Sequence, residues 1–95
     1  MDKAVVIKSL DNVATCLADV RAGEDTALDV AGESRTVVFK ADIPFGHKVA
    51  LADIAEGEDV IKYAEVIGVA SQPIEAGDHV HVHNVESIRA RGDLR

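Results

Sequence analysis

The sequence predicts a mainly β domain, a compact sheet of short strands joined by glycine turns, and three observations point there. Aromatic residues make up only 3% of the 95 residues and tryptophan is absent, against 47% apolar residues. Val, Ile, Leu and Ala therefore fill the core, which favours β-rich packing over a large aromatic pocket. The apolar segments are short, rich in β-branched residues, and interrupted by turn formers. Finally, one glycine turn recurs as Asp19–Thr26 (DVRAGEDT), Asp53–Val60 (DIAEGEDV) and Pro73–Val80 (PIEAGDHV). Each copy has an aliphatic residue, two variable positions, glycine, an acidic residue, one further position and a β-branched residue. Gly23, Gly57 and Gly77 adopt positive φ at no steric cost, so each closes a tight turn that feeds a following strand. The copies are too short and too unevenly spaced for a solenoid, whose period is fixed.

Along the chain, Ala4-Val5-Val6-Ile7 reads as the first strand, and Asp11-Asn12 turns the chain before the apolar stretch Val13 to Leu17. Thr36-Val37-Val38-Phe39 is a further strand. Pro44 and Gly46 punctuate the chain between Ile43 and Val49, which argues against helix and for a loop presenting His47 and Lys48. Val49-Ala50-Leu51-Ala52 is a short strand after it. Ile61 to Val66 reads as strand or as a helical turn, because periodicity does not decide over so short a run. Residues 1–86 form the single domain expected at this length, and residues 87–95 a polar, loosely held tail. The Arg91-Gly92-Asp93 tripeptide in that tail is read as a coincidence, not an adhesion motif.

A formal net charge of −7, with ten Lys and Arg in no run and no interleaved aromatics, argues against nucleic acid as a partner. The sole cysteine, Cys16, lies in an apolar run, has no internal disulfide partner and behaves as a small buried hydrophobe, which fits a reducing cytoplasm. No apolar run approaches the roughly 20 residues that span a bilayer, and the start MDKAVVIKSLDN lacks a signal-peptide pattern. The expectation is a soluble cytoplasmic protein, and the Met1 start favours a natural small subunit over an excised domain.

The stretch Gly77–Asn84, GDHVHVHN, carries three of the four histidines at alternate positions. On a strand His79, His81 and His83 would share one exposed face while Val80 and Val82 face the core. At about 3.3 Å per residue the outer pair starts roughly 13 Å apart, too far to share an ion at metal–nitrogen bonds of about 2.0–2.1 Å. Two adjacent imidazoles can share one, with a third ligand from His47, from a carboxylate such as Glu65 or Asp78, or from another chain. The bland alternative is a solvated strand face. Spacing alone leaves metal binding, anion binding and acid–base duty open, since imidazole serves all three. Gathered near the ladder, His47, Lys48 and Lys62 would make a positive spot suited to a carboxylate or sulfonate.

Taken together, Asp11-Asn12-Val13-Ala14, Gly46-His47-Lys48-Val49-Ala50-Leu51, Ile61-Lys62-Tyr63-Ala64-Glu65-Val66-Ile67-Gly68 and Gly77–Asn84 resemble the small domain of the altronate/galactarate dehydratase family. The resemblance covers about residues 3–86. It implies the SAF, or β-clip, fold, standing at the N-terminus of a long polypeptide or as a small subunit beside a large catalytic one. It also implies removal of water from sugar acids such as altronate or galactarate, or of sulfite from sulfolactate, with a divalent metal, commonly iron (Fe2+), supplied in part by the partner subunit.

By that resemblance His47, Lys48, Lys62 and Tyr63 are expected as catalytic residues, His79 and His81 as metal ligands, and His83 and Asn84 as substrate contacts. One departure is Ala64, where the family usually has glycine; at positive φ an alanine would strain the turn by about 1 kcal/mol. The expected function is therefore the small subunit or N-terminal domain of a hydro-lyase, inactive without its large partner. Nothing in the sequence shows a nucleophile or a paired-carboxylate site. The contrasting expectation is a non-catalytic module that binds a metal or an anion, alone or as a homo-oligomer.

Overall fold

A computed structural model describes residues 3–6, 8–30 and 32–87, and its regular structure is strand throughout. In chain order the strands are β1 (Ala4–Val5), β2 (Val13–Cys16), β3 (Asp25–Val30), β4 (Glu33–Val38) and β5 (Lys48–Ala50), then β6 (Asp59–Lys62), β7 (Glu65–Ala70), β8 (His79–Val80) and β9 (Val85–Ser87). They form a four-stranded sheet in the order β1-β2-β5-β8, a β3–β4 hairpin and a three-stranded sheet β6-β7-β9, all antiparallel. The mainly β expectation holds. No helix among the described residues is long and apolar enough to cross a membrane.

The alternation of side chains along β2 and β5 splits the interior in two. Ala14, Cys16, Val49 and Leu51 point to one side, where Leu28, Val37 and Phe39 cover them. Val13 and Ala50 point to the other, packed with Val60, Ala70, Ile74 and Val80. Burying each of the larger aliphatic side chains contributes about 1.5–3 kcal/mol, so both layers are needed to hold sheets this short. Cys16 sits in the first layer, and burial pushes its thiol up to about 11, leaving it an inert hydrophobe as expected.

The recurrent turn proves to have a fourth copy. Gly23, Gly57 and Gly77 have positive φ as predicted, and Gly46 joins them at φ 85°. Each of the four donates its N–H to a buried residue, Phe39, Cys16, Ala70 or Ala50, whose own N–H returns to the carbonyl following the glycine. The loops associate in two pairs through the bridges Val20↔Ile43 and Ile54↔Ile74.

In the three recognisable copies the acid after glycine accepts the N–H of the residue three before it: Glu24 from Arg21, Glu58 from Ala55 and Asp78 from Glu75, each at 2.7 Å. In the fourth, that earlier position is Pro44, which has no N–H to satisfy. The acid is dispensable there, and His47 takes its place.

β3 is the strand expected after the Gly23 turn, and it runs on to Val30 although Asp25 and Asp29 dilute its alternation of Thr26, Leu28 and Val30. Several expectations change. The helical alternative for Ile61 to Val66 is excluded: Lys62 pairs with Glu65 across a two-residue turn. Ser87, expected in the tail, ends β9 and pairs with Gly68. Ile7 of the first strand and the remaining tail, with Arg91-Gly92-Asp93, lie outside the described residues.

Candidate functional site

The histidine segment departs from a ladder. β8 ends at Val80, and the next residues turn. The cause is Asn84, which is buried and accepts the His81 N–H at 3.0 Å through Oδ1 while donating from Nδ2 to the His79 carbonyl at 2.9 Å. That bracket folds the chain back through His81, whose carbonyl accepts the N–H groups of both Asn84 and Val85. Val80 faces the core as expected, but Val82 is 82% exposed and anchors nothing.

The imidazoles nonetheless converge, through sheet register. β5 and β8 are antiparallel with Lys48 opposite Val80 and Val49 opposite His79. Continued by one position, that register sets His47 against His81, and their rings stack with centroids 4.1 Å apart at 18°. His47 also stacks on His79 at 5.1 Å, and its Nδ1 lies 2.9 Å from His79 Nε2. His79 and His81 stand 5.5 Å apart. His83 lies at the edge, exposed, tilted 48° against His79 at 5.2 Å.

One ring nitrogen from each of His47, His79 and His81 lies within 4.8 Å of the other two. Of the third ligands considered, His47 is the one the fold supplies. Asp78 is committed to its turn, and Glu65 is exposed at the start of β7 opposite Lys62.

Burial first, then the neighbouring imidazoles, holds His79 below the ordinary histidine range. His81 is lowered by burial and then by His47, Lys48 and His83. Lys48 is lowered too, mainly because it is half-buried and secondly because the Lys62 charge faces it. Both histidines thus favour the neutral, ligating form near neutral pH.

Lys62 and Tyr63 stand at the tip of the β6–β7 hairpin, with Lys62 Nζ 4.8 Å from the Tyr63 ring centroid. Tyr63 and Ala64 both have positive φ, 57° and 61°, so the strain expected of an alanine there is present. The tip is held by Asp11 and Asn12, which the sequence marks as a turn and as part of the family motif but assigns no role at the site. Buried Asp11 accepts the Ala64 N–H at 2.8 Å and the Lys8 N–H at 3.1 Å, while Asn12 accepts from Ile61 and donates to the Asp59 carbonyl. Their signal was the polar pair Asp-Asn immediately before a buried strand.

A cavity of about 190 Å³ opens beside Lys48 and His81, walled by Ile67, Val80, Val82 and Val85 and edged by Ser87. Val85 and Ser87 carried no functional signal in the sequence, and Ile67 only its place in the Ile61–Gly68 motif, since they reach the site from β7 and β9. The structure thus gathers His47, Lys48, His79, His81 and His83 on one face, brings Lys62 within electrostatic reach of Lys48, and turns Asn84 inward.

Comparison with known proteins identifies the family. Residues 2–88 match the family described as the altronate/galactarate dehydratase SAF domain. Altronate dehydratase of Escherichia coli (strain K12) is 46% identical over 87% of this chain, and that of Bacillus subtilis (strain 168) 42% identical over 92%. The chain spans only 16% and 17% of the lengths of those two relatives. The (2R)-sulfolactate sulfo-lyase subunit alpha of Chromohalobacter salexigens is 49% identical over 74% of this chain and 77% of its own length.

Proposed function

Because the chain belongs to the altronate/galactarate dehydratase SAF-domain family, we propose that it is the small subunit or N-terminal domain of a cytoplasmic carbon–oxygen lyase. Its substrate in this reading is a sugar acid such as altronate or galactarate, and it works with a larger catalytic part. The observation that carries the reading is the meeting of His47, His79 and His81 with ring nitrogens within 4.8 Å.

These residues fit a divalent metal. Two nitrogens bound to one ion at about 2.0–2.1 Å stand about 2.9 Å apart at a right angle and about 3.3 Å at the tetrahedral angle. The 2.9 Å between His47 and His79 suits such a pair as well as it suits a shared proton. An all-imidazole set agrees with iron or zinc rather than magnesium or calcium, and iron is the assignment made here. Bound there, the ion would supply Lewis acidity to the enolate-like charge and the departing hydroxyl.

The chain's own residues do the rest of what this surface offers. His83, exposed at the edge of the cluster, is free to exchange a proton with a bound acid. Lys48 and Lys62 attract the anionic substrate, and the lowered pKa of Lys48 brings it nearer the range useful for proton transfer. Tyr63 holds its ring under the Lys62 ammonium at the hairpin tip. Asn84 keeps His79 and His81 on one side of the turn. A site this open does not exclude water, so the larger part must close over it.

A second reading is sulfite release from sulfolactate, favoured by the similarity to the sulfo-lyase alpha subunit over 77% of its length. The test is co-expression with a large-subunit candidate and assay against altronate, galactarate and (2R)-sulfolactate, with and without Fe2+. Water release from a sugar acid that is lost in H79A and H81A supports the first reading, and sulfite release supports the second. Metal binding without turnover of any of the three would reduce the chain to a binding module.

A further inference from the structure

We propose that the cavity beside Lys48 binds the acid group, carboxylate or sulfonate, of a small organic acid, with the Lys48 ammonium as counter-ion and Ile67, Val80, Val82 and Val85 as the wall along its carbon chain. This deepens the lyase reading by assigning a place to the substrate's acid group, and rests on it only for which acid is used.

The first argument is charge. Among the described residues the ion pairs are Lys3–Glu24 and Lys40–Glu75, and neither Lys48 nor Lys62 takes part in one. The chain carries 17 acidic against 10 basic residues, so carboxylates are not scarce, yet among the described residues none forms an ion pair with either lysine. A half-buried ammonium at a cavity wall has given up part of its hydration, no described carboxylate pairs with it, and an anion from outside supplies that partner.

The second argument is size and lining. Cavities that enclose a whole drug-sized ligand run from about 300 to 1,000 Å³. A volume of about 190 Å³ instead suits one end of a molecule. Four aliphatic side chains make up most of the wall, which fits an organic acid better than inorganic phosphate, whose oxygens would face methyl groups without hydrogen bonds.

The third argument is position. His81 lines the cavity and also stacks on His47, so an acid group seated against Lys48 leaves the rest of the molecule beside the imidazole cluster.

The test is titration of the full 95-residue chain with lactate, methanesulfonate, lactamide, inorganic phosphate and chloride at matched ionic strength, followed by methyl NMR. Lactate and methanesulfonate should give saturable shifts at Ile67, Val80, Val82 and Val85, while neutral lactamide and chloride do not. Lys48→Met should weaken lactate binding by at least about tenfold, the order expected for losing a hydrogen bond to a charged group. Lys62→Met should weaken it less.

Equal shifts with lactamide or chloride, shifts with phosphate alone, or unaltered binding by a folded Lys48→Met chain would overturn the proposal. The contrast between lactate and lactamide on the unaltered chain decides it even where a variant does not fold. Ni2+ titration of the same sample keeps the two readings apart. Intact Ni2+ binding without lactate shifts sinks the acid site alone. Lactate shifts in a complex that turns over no acid count against the lyase reading alone.

Discussion

His47 Nδ1 and His79 Nε2 lie 2.9 Å apart although 32 positions separate the residues in the chain. At that separation the two lone pairs need either a proton or a cation between them. H47A and H79A should each weaken Ni2+ or Co2+ binding by more than the roughly 10–100-fold that loss of a supporting group costs a metal site. H83A, outside the set of three nitrogens, should fall short of that range. Calorimetry on the three variants checks the order, and equal losses in all of them would rule out the assigned ligand set.

The same cluster makes stability depend on pH. His79 and His81 are held below the ordinary value of 6.5, so the folded chain resists protons that the unfolded chain takes up. Stability therefore stays level above about pH 6.5 and declines as pH falls from there through the lowered folded values, where the unfolded state binds more protons. Urea melts across that window should show the decline in the native chain. An H79A/H81A double variant should lose part of it.

Ala64 at φ 61° carries a left-handed conformation that costs a non-glycine residue about 1–2 kcal/mol. Glycine removes that strain but returns roughly 0.4–1 kcal/mol of unfolded-state entropy. A64G should be stabilising by about 0.5–1 kcal/mol, read as a higher urea midpoint at unchanged slope.

Two of the turn glycines differ in surroundings. A methyl on Gly57 meets open space, so G57A pays only for its φ of 88°, on the order of 1–2 kcal/mol. On Gly77 the methyl would collide with the Val38 carbonyl oxygen, which cannot retreat without moving β4. G77A should cost at least about 2 kcal/mol more than G57A, as overpacking against backbone does. Matched melts of the two variants measure the gap.

Asp11 is buried and accepts two backbone N–H groups, one from the Lys62–Tyr63 hairpin tip. D11A leaves both donors without that partner and should destabilise by about 1–3 kcal/mol. Hydrogen exchange should accelerate first at the Ala64 amide. Uniform acceleration over the whole chain would show that Asp11 steadies the fold rather than the tip.

The sequence by itself determined whatever is settled locally. A glycine at positive φ followed by an acid that caps its own turn is a device complete within six residues, so the copies at Gly23, Gly57 and Gly77 were readable. The copy at Gly46 was not, because Pro44 removes the donor that makes the acid recognisable. Alternate spacing singled out the histidines and left His47 among several possible third ligands, without showing how the rings meet. Only the tertiary structure decided that. Asn84 ends β8 by binding backbone on both sides, and the β5–β8 register carries His47 across to His79 and His81. The cavity at Lys48 likewise depends on β7 and β9 arriving from elsewhere in the chain. Pairing between distant strands is fixed by what their two buried faces exclude from water, and no short stretch of sequence contains both partners.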